Sequence, residues 1–160
     1  MNRERHITSA FDRDLESVQA LVVKMGGMVE AALTDAGIAL EKRDEELAEQ
    51  VRLRDRAIDQ LENKINHEAA RLIALRSPAA TDLRVALSVI KIASSLERVG
   101  DLAKNMAKRT NVLSQLPQIE GAAPALRRMA NGVEQMLKDA LDSYIQRDER
   151  LAADVRTRDL

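Results

Sequence analysis

The sequence predicts an all-α protein, and three observations carry that prediction. Ala, Leu, Glu, Arg and Asp dominate the 160 residues, whereas Gly occurs 6 times and Pro 3 times. Aromatic residues, which sheets normally use, are reduced to one Phe and one Tyr. Apolar residues recur at helical spacing along most of the chain. These features predict helices along the chain. The helix boundaries and the internal repeat described below arrange them as an antiparallel three-helix bundle followed by the first two helices of a second, incomplete bundle.

The composition argues against several classes of function. Lys plus Arg is 25 and Asp plus Glu is 26, a net charge of −1 that gives no support for a nucleic-acid binder held by bulk charge. The sequence has no Cys, which excludes disulfides and thiolate metal sites. No uncharged apolar run approaches the ~18 residues of a membrane helix, and the N-terminus does not resemble a secretion signal. We therefore expect a soluble, cytoplasmic protein.

Helical periodicity and capping residues divide the first part of the chain into three helices at about 9–42, 45–75 and 79–113. Asp44 is a predicted N-cap for the second helix. Ser77-Pro78 is predicted to end the second helix, with the Ser77 hydroxyl as a cap and Pro78 just inside the third helix. Gly26-Gly27 interrupts the first helix, and we expect a kink or a close helix crossing there in preference to a ligand contact.

An internal repeat accounts for the rest of the chain. When the sequence is displaced by 104 residues without gaps, 15 of 32 positions are identical between 25–56 and 129–160. We therefore expect a first bundle at 1–114, a linker at 115–124 and a partial second repeat at 125–160. The chain would then be a truncated version of a two-bundle protein. The apolar faces of its last two helices should pack on another chain, continue the first bundle's helices, or fray.

Two acidic residues in the third helix lie on a stripe that is otherwise apolar. At 100° per residue, Glu97 and Asp101 fall in the same row as Leu83, Leu87 and Ile90. Burying one carboxylate is costly, and burying two that are one turn apart costs more. Something cationic should compensate for them.

A hairpin formed by the second and third helices supplies further carboxylates. If it turns near residue 78, the numbers of facing residues sum to about 156. Asp55 then faces Asp101, and Asp59 faces Glu97. Glu62 lies one turn away. The sequence therefore predicts that carboxylates from two helices converge at one height.

Two interpretations of this acidic cluster remain open from the residues alone. The first is a solvated, salt-bridged face served by Arg52, Arg54, Arg56 and Arg98. The second is a cation site, because oxygen ligands on adjacent helices suit Mg²⁺, Mn²⁺, Ca²⁺ or iron. His67 does not stand at Glu-x-x-His spacing from Glu62, so a di-iron oxygenase motif is absent.

Four segments resemble one family. They are Arg5-His-Ile-Thr-Ser-Ala-Phe11, Met25-Gly-Gly-Met-Val-Glu30, Arg76-Ser-Pro-Ala-Ala-Thr-Asp-Leu-Arg84 and Leu96-Glu-Arg-Val-Gly-Asp101. They are similar to segments of the PhoU family of bacterial phosphate-signalling proteins. The resemblance implies tandem PhoU-like three-helix bundles whose acidic pairs can hold metal clusters. The matching metal-ligand candidates are Glu97, Asp101, Asp55, Asp59 and, further out, Glu62, with Mg, Mn, Ca, Fe or Zn as the candidate ions.

The resemblance also implies a function and partners. PhoU-like proteins are non-enzymatic, cytoplasmic and often dimeric negative regulators. They couple the ATPase subunit of a phosphate ABC transporter to a membrane sensor histidine kinase, and they reach the membrane only through these partners. Two alternatives from other classes are a metal-binding helical oligomerisation module and a carboxylate-metal hydrolase. The hydrolase has little support, because the sequence shows no nucleophile with a base and no glycine-rich phosphate loop.

Overall fold

The computed structural model describes residues 2–78 and 80–158, with side chains from residue 10 onwards. It contains five helices: α1 (Asn2–Lys42), α2 (Glu45–Arg76), α3 (Ala80–Leu113), α4 (Ala122–Gln146) and α5 (Glu149–Arg158). The all-α prediction is confirmed. Helices α1 and α4 begin earlier than the sequence predicted, and Pro124 lies in the first turn of α4, where proline is tolerated.

Helices α1, α2 and α3 pack on one another in all three pairings and enclose the main core. Helix α3 contributes mainly small side chains to this core, which lets its backbone approach the other two helices. Larger apolar side chains from α1 and α2 fill the space, and burying each fully contributes about 1.5–3 kcal/mol. The largest fully buried apolar side chains are Met25, Ile58, Ile65, Val22, Val29, Val51 and Val89.

The cap predicted at the start of α2 is present, whereas Pro78 lies outside α3, which begins at Ala80. The Asp44 carboxylate accepts a hydrogen bond from the backbone N–H of Leu47 at 2.9 Å, as a residue that caps α2 should. At the other end of α2, Ser77 adopts a left-handed conformation and its N–H donates to the Ile73 carbonyl at 3.0 Å. Both turns are therefore closed by local hydrogen bonds, although at Ser77 the donor is the backbone N–H and not the predicted hydroxyl.

The hairpin of α4 and α5 copies the hairpin of α1 and α2 at the predicted offset of 104. Asp148 caps α5 through the N–H of Leu151 at 3.0 Å, as Asp44 caps α2. Arg147 and Arg43, which precede these caps, have φ of 54° and 56°. The repeat is thus present in backbone geometry as well as in sequence, while the boundaries of the two domains stay a prediction.

An ion pair between the two helices of each hairpin is repeated at the same offset. Arg54 contacts Asp35 at 2.8 Å in the first hairpin, and Arg158 contacts Asp139 at 2.6 Å in the second. Hydrogen bonds to Arg158 and Gln135 lower the pKa of Asp139. The two ion pairs therefore lie at equivalent positions of the two hairpins.

Helix α4 packs against α1 through two glycines. A Cβ on Gly26 would lie 2.7 Å from Leu141 Cδ2, and a Cβ on Gly37 would lie 3.2 Å from Ala130 Cβ. The two contacts run in antiparallel order along the helices. Gly26 therefore marks the close helix crossing that the sequence predicted, within a helix that continues unbroken. Gly37 was not predicted to take part.

The position of α4 differs from the three outcomes expected for the last two helices. Helix α4 lies along α1, and α5 turns back along α4. Part of the apolar surface of α4 stays exposed nonetheless: Met129 is 69% exposed, Val133 48% and Ile145 53%. In the first hairpin the position equivalent to Val133 is Val29, which is fully buried beneath α3. The second hairpin therefore lacks a cover on the face that α3 covers in the first.

Neighbouring glycines provide a matched test of the α1–α4 contact. Gly26→Leu should displace Leu141 and release α4 and α5, because the new side chain fills the space that Leu141 occupies. Gly27→Leu should leave the contact intact and raise stability by about 0.5–1 kcal/mol, because a Cβ there meets nothing within 4 Å and a helical glycine is removed. Hydrogen exchange of α4 amides reads out the difference, and equal protection in the two variants would contradict the packing.

Candidate acidic site

The antiparallel packing of α2 on α3 brings five carboxylates into one neighbourhood. Glu97 on α3 lies near Asp101 of its own helix and near Asp59 and Glu62 of α2. Asp59 in turn lies near Asp55 and Asp101. The convergence predicted from the numbering of the hairpin is therefore present. We call these five residues the acidic cluster.

A tight helix contact beneath the acidic cluster sets its geometry. Gly100 lies between the two acidic residues of α3, and a Cβ there would stand 3.3 Å from Ile58 Cδ1. Ile58 is buried and lies next to Asp59 on α2. Because the helices approach closely at Gly100, the carboxylates of both helices flank this contact.

Asp55 differs from the other members of the acidic cluster because it is buried. It is 4% exposed. The ammonium of Lys104, which belongs to α3, contacts the Asp55 carboxylate directly. Lys104 Nζ also lies 3.1 Å from Asp101 Oδ1. These two hydrogen bonds raise the pKa of Lys104 well above its usual value, so the lysine stays charged.

Two other members of the acidic cluster repel their neighbours. Partial burial, followed by repulsion from Asp55, raises the pKa of Asp59. Partial burial also raises the pKa of Glu97, and repulsion from Asp101 adds to it. Each shift means that the ionised form is disfavoured in the folded protein. Asp59 and Glu97 therefore carry negative charge that Lys104 does not fully compensate.

The arginines proposed to serve this face have other partners or none. Arg52 pairs with Glu49 at 2.6 Å, and Arg54 pairs with Asp35 at 2.8 Å. Arg56 and Arg98 are exposed and form no ion pair within the described part of the chain. The interpretation in which these four arginines serve the acidic residues is therefore not supported in the described residues. Lys104 was missed, although its spacing of three from Asp101 is that of an ion pair on one helix face.

The acidic cluster fits a hard cation in its chemistry. All five candidate ligands are carboxylates, which Mg²⁺, Mn²⁺, Ca²⁺ and iron accept. Across residues 10–78 and 80–158, no three Asp, Glu or His side chains are arranged as they stand to hold a metal ion. A bound cation would therefore require the carboxylates to turn towards a common point on their two fixed helices.

Fold and site together define a class of protein: a helical bundle with paired carboxylates on adjacent helices. The family model described as the PhoU domain matches residues 22–110 and 126–160. The chain therefore belongs to the PhoU family. The match extends over the first bundle and over the α4–α5 hairpin, as the internal repeat requires.

Relatives and solved structures agree with this assignment. The chain is 39% identical over 154 residues to the phosphate-specific transport system accessory protein PhoU homolog of Caulobacter vibrioides, covering 96% of this chain and 67% of the relative. It is 41% identical to the protein of the same description from Zymomonas mobilis, with coverage of 97% and 65%. The crystal structure of PhoU from Pseudomonas aeruginosa superposes with a TM-score of 0.87 at 38% identity, covering 90% of this chain and 69% of that one.

The relatives are longer than this chain, which spans about two thirds of their length. None of the helices in the described residues is both long and apolar enough to cross a membrane.

Repulsion within the acidic cluster can be tested without metal. In a buffer containing EDTA at pH 7, Glu97→Gln should raise the free energy of unfolding by roughly 0.2–0.5 kcal/mol, because it removes a like-charge contact one turn from Asp101. A raised pKa penalises the ionised form, so the gain should be present at neutral pH and vanish as pH falls towards 4.5, the ordinary glutamate value.

Urea unfolding at several pH values measures this difference. Glu16→Gln on the exposed face of α1 is the matched control and should change stability little at any pH. A gain for Glu97→Gln that persists at pH 4 would argue against charge repulsion as its cause.

Proposed function

We propose that this protein is a non-enzymatic regulator of phosphate uptake. The observation that supports the proposal most directly is the PhoU family match across both repeats. Relatives at about 40% identity carry the description of accessory proteins of the phosphate-specific transport system. A Streptococcus pneumoniae protein of similar fold, with a TM-score of 0.86 at 30% identity, is described as a phosphate transport system regulatory protein.

The proposed role is to couple transport to signalling. In this proposal the protein binds the cytoplasmic ATPase subunit of a phosphate ABC transporter and a sensor histidine kinase. It represses the response to phosphate starvation when phosphate is ample. It acts as a dimer in the cytoplasm and reaches the membrane only through these partners. A rigid helical bundle suits such an adaptor, because its long exposed helix faces offer separate surfaces to two partners.

Binding to the transporter ATPase subunit is the primary test. The purified chain should be retained by the immobilised ATPase subunit of a phosphate transporter at micromolar concentration, and an ATPase subunit from an unrelated transporter should not retain it. If the ATPase subunit of the phosphate transporter does not retain the chain, the proposed coupling is contradicted. The kinase cytoplasmic domain is tested in the same way, since coupling requires contact with both partners.

We further propose that the acidic cluster is a metal site. The ligands would be Glu97, Asp101, Asp59 and Glu62, with Asp55 as the inner member, and the ion would be Mg, Mn, Ca, Fe or Zn. A bound divalent ion would supply positive charge that relieves the repulsion between the two acidic pairs. The residues of the chain would orient the ion and join α2 to α3 through it.

Metal binding can be tested by removing one acidic pair. Glu97→Ala combined with Asp101→Ala should abolish the metal found by elemental analysis of the purified protein, because both α3 ligands are lost. Glu45→Ala combined with Glu49→Ala is the matched control. It removes an exposed acidic pair in the first turns of α2 whose members are also four residues apart. Equal metal content in the two double variants would place any metal elsewhere.

A helical oligomerisation module is the second candidate function. The observation that favours it is the exposed apolar surface of α4, which includes Met129, Val133 and Ile145. Such a module would self-associate without needing the transporter or metal. Light scattering coupled to gel filtration in EDTA measures this self-association, and self-association without retention by the transporter ATPase subunit would favour this candidate over the adaptor.

The hydrolase alternative is tested by assay. The acidic cluster offers carboxylates and one lysine, and the chain contains no Cys. With manganese-loaded protein and p-nitrophenyl phosphate we expect no turnover above that of the Glu97→Ala, Asp101→Ala variant. Turnover that disappears in this variant would support the hydrolase and contradict a non-enzymatic role.

A further inference from the structure

Lys104 occupies the inner half of the acidic cluster as a built-in cation. Its ammonium contacts the carboxylate of Asp55 and lies 3.1 Å from that of Asp101. Asp55 is almost fully buried, whereas the Asp101 side chain is 47% exposed. The lysine therefore joins the innermost carboxylate on α2 to a surface carboxylate on α3.

Because Asp55 is buried, it depends on the contact with Lys104 more than Asp101 does. A buried carboxylate stays ionised at a tolerable cost only when a cation or several hydrogen bonds accompany it. Lys104 is the cation that contacts Asp55 in the described part of the chain. Asp101 has solvent as an alternative partner, whereas Asp55 does not. The position of Lys104 is thus set mainly by the requirement of Asp55.

The remaining members of the acidic cluster lie on the other side. Asp59, Glu62 and Glu97 make no ion pair in the described residues, and they surround one another closely enough to repel. The cluster is therefore divided into an inner part, Asp55 and Asp101, which the lysine neutralises in part, and an outer part, Asp59, Glu62 and Glu97, which forms no ion pair in the described residues.

We propose that Lys104 holds Asp55 out of reach of metal and competes with metal for Asp101, so that a divalent ion is confined to the outer carboxylates. This inference rests on the proposed metal site and assigns the residue that limits it. Lys104 would thus act as a specificity-determining residue: it lowers the affinity for divalent ions and keeps α2 and α3 joined when none is bound.

The test compares Mn²⁺ binding by calorimetry in the wild type, in Lys104→Met and in Lys108→Met. Lys108 is an exposed lysine one turn further along α3 and controls for loss of a positive charge. Lys104→Met should bind Mn²⁺ at least about tenfold more tightly, because it removes a positive charge a few ångströms from the ion and frees two ligands. Lys108→Met should match the wild type. Adding Asp55→Asn to Lys104→Met should remove most of the gain.

A second readout follows thermal unfolding in EDTA. Lys104→Met should melt at a lower temperature than the wild type, because Asp55 is left buried without a cation. The double variant with Asp55→Asn should recover most of the loss, and Mn²⁺ should raise the melting temperature of Lys104→Met more than that of the wild type. Lys104→Gln, which keeps a hydrogen-bond donor, replaces Lys104→Met if the latter does not fold.

The outcomes separate this inference from the proposed metal site. If the wild type and Lys104→Met bind Mn²⁺ equally well, Lys104 does not limit the site, although the metal site stands. If only the variant binds, Lys104 excludes metal completely, which supports the inference in its strongest form. If no variant binds Mn²⁺, both the competition and the metal site are overturned. An unchanged melting temperature of Lys104→Met in EDTA would overturn its role as counter-ion to Asp55.

Discussion

The close approach of α2 and α3 at Gly100 is the constraint on which the rest of the site depends. Gly100 has no side chain there, so Ile58 of α2 packs directly against the α3 backbone. The acidic residues of both helices flank this contact, so they must face one another. Burial of Asp55 follows from the same approach, and a buried carboxylate requires a cation. Lys104 meets that requirement from the opposite helix. The packing of apolar residues thus buries a carboxylate, and one ion pair compensates part of the negative charge of the acidic cluster.

The two hairpins show how the same local sequence behaves in different surroundings. Asp44 and Asp148 cap equivalent helices, and equivalent Arg–Asp pairs link the helices of each hairpin. The first hairpin is covered by α3 and contains the core. The second is held against α1 by helix contacts at Gly26 and Gly37, and part of its apolar face remains exposed. The hairpin is therefore a unit that forms through local interactions, whereas its burial depends on a third helix.

The division of the acidic cluster also bears on how a regulator could use it. An adaptor needs a structure that holds without its ligand and changes when the ligand binds. The inner ion pair satisfies the first requirement, because it joins α2 to α3 in the absence of metal. The outer carboxylates suit the second, since their mutual repulsion would be relieved by an added cation. Both parts lie on the pair of helices that a bound ion would bridge, so occupancy would alter the contact between them.

Much of this protein was determined by its sequence alone. Helical periodicity, the cap at Asp44 and the repeat at offset 104 are local features, and each appeared in the structure as predicted. The facing of Asp55 and Asp59 with the α3 pair also followed from counting along a hairpin. Only the tertiary structure decided that Asp55 is buried, that Lys104 and not an arginine pairs with it, and that α4 lies on α1. These outcomes depend on which side chains meet across helices separated in sequence, and on how closely glycines let those helices approach.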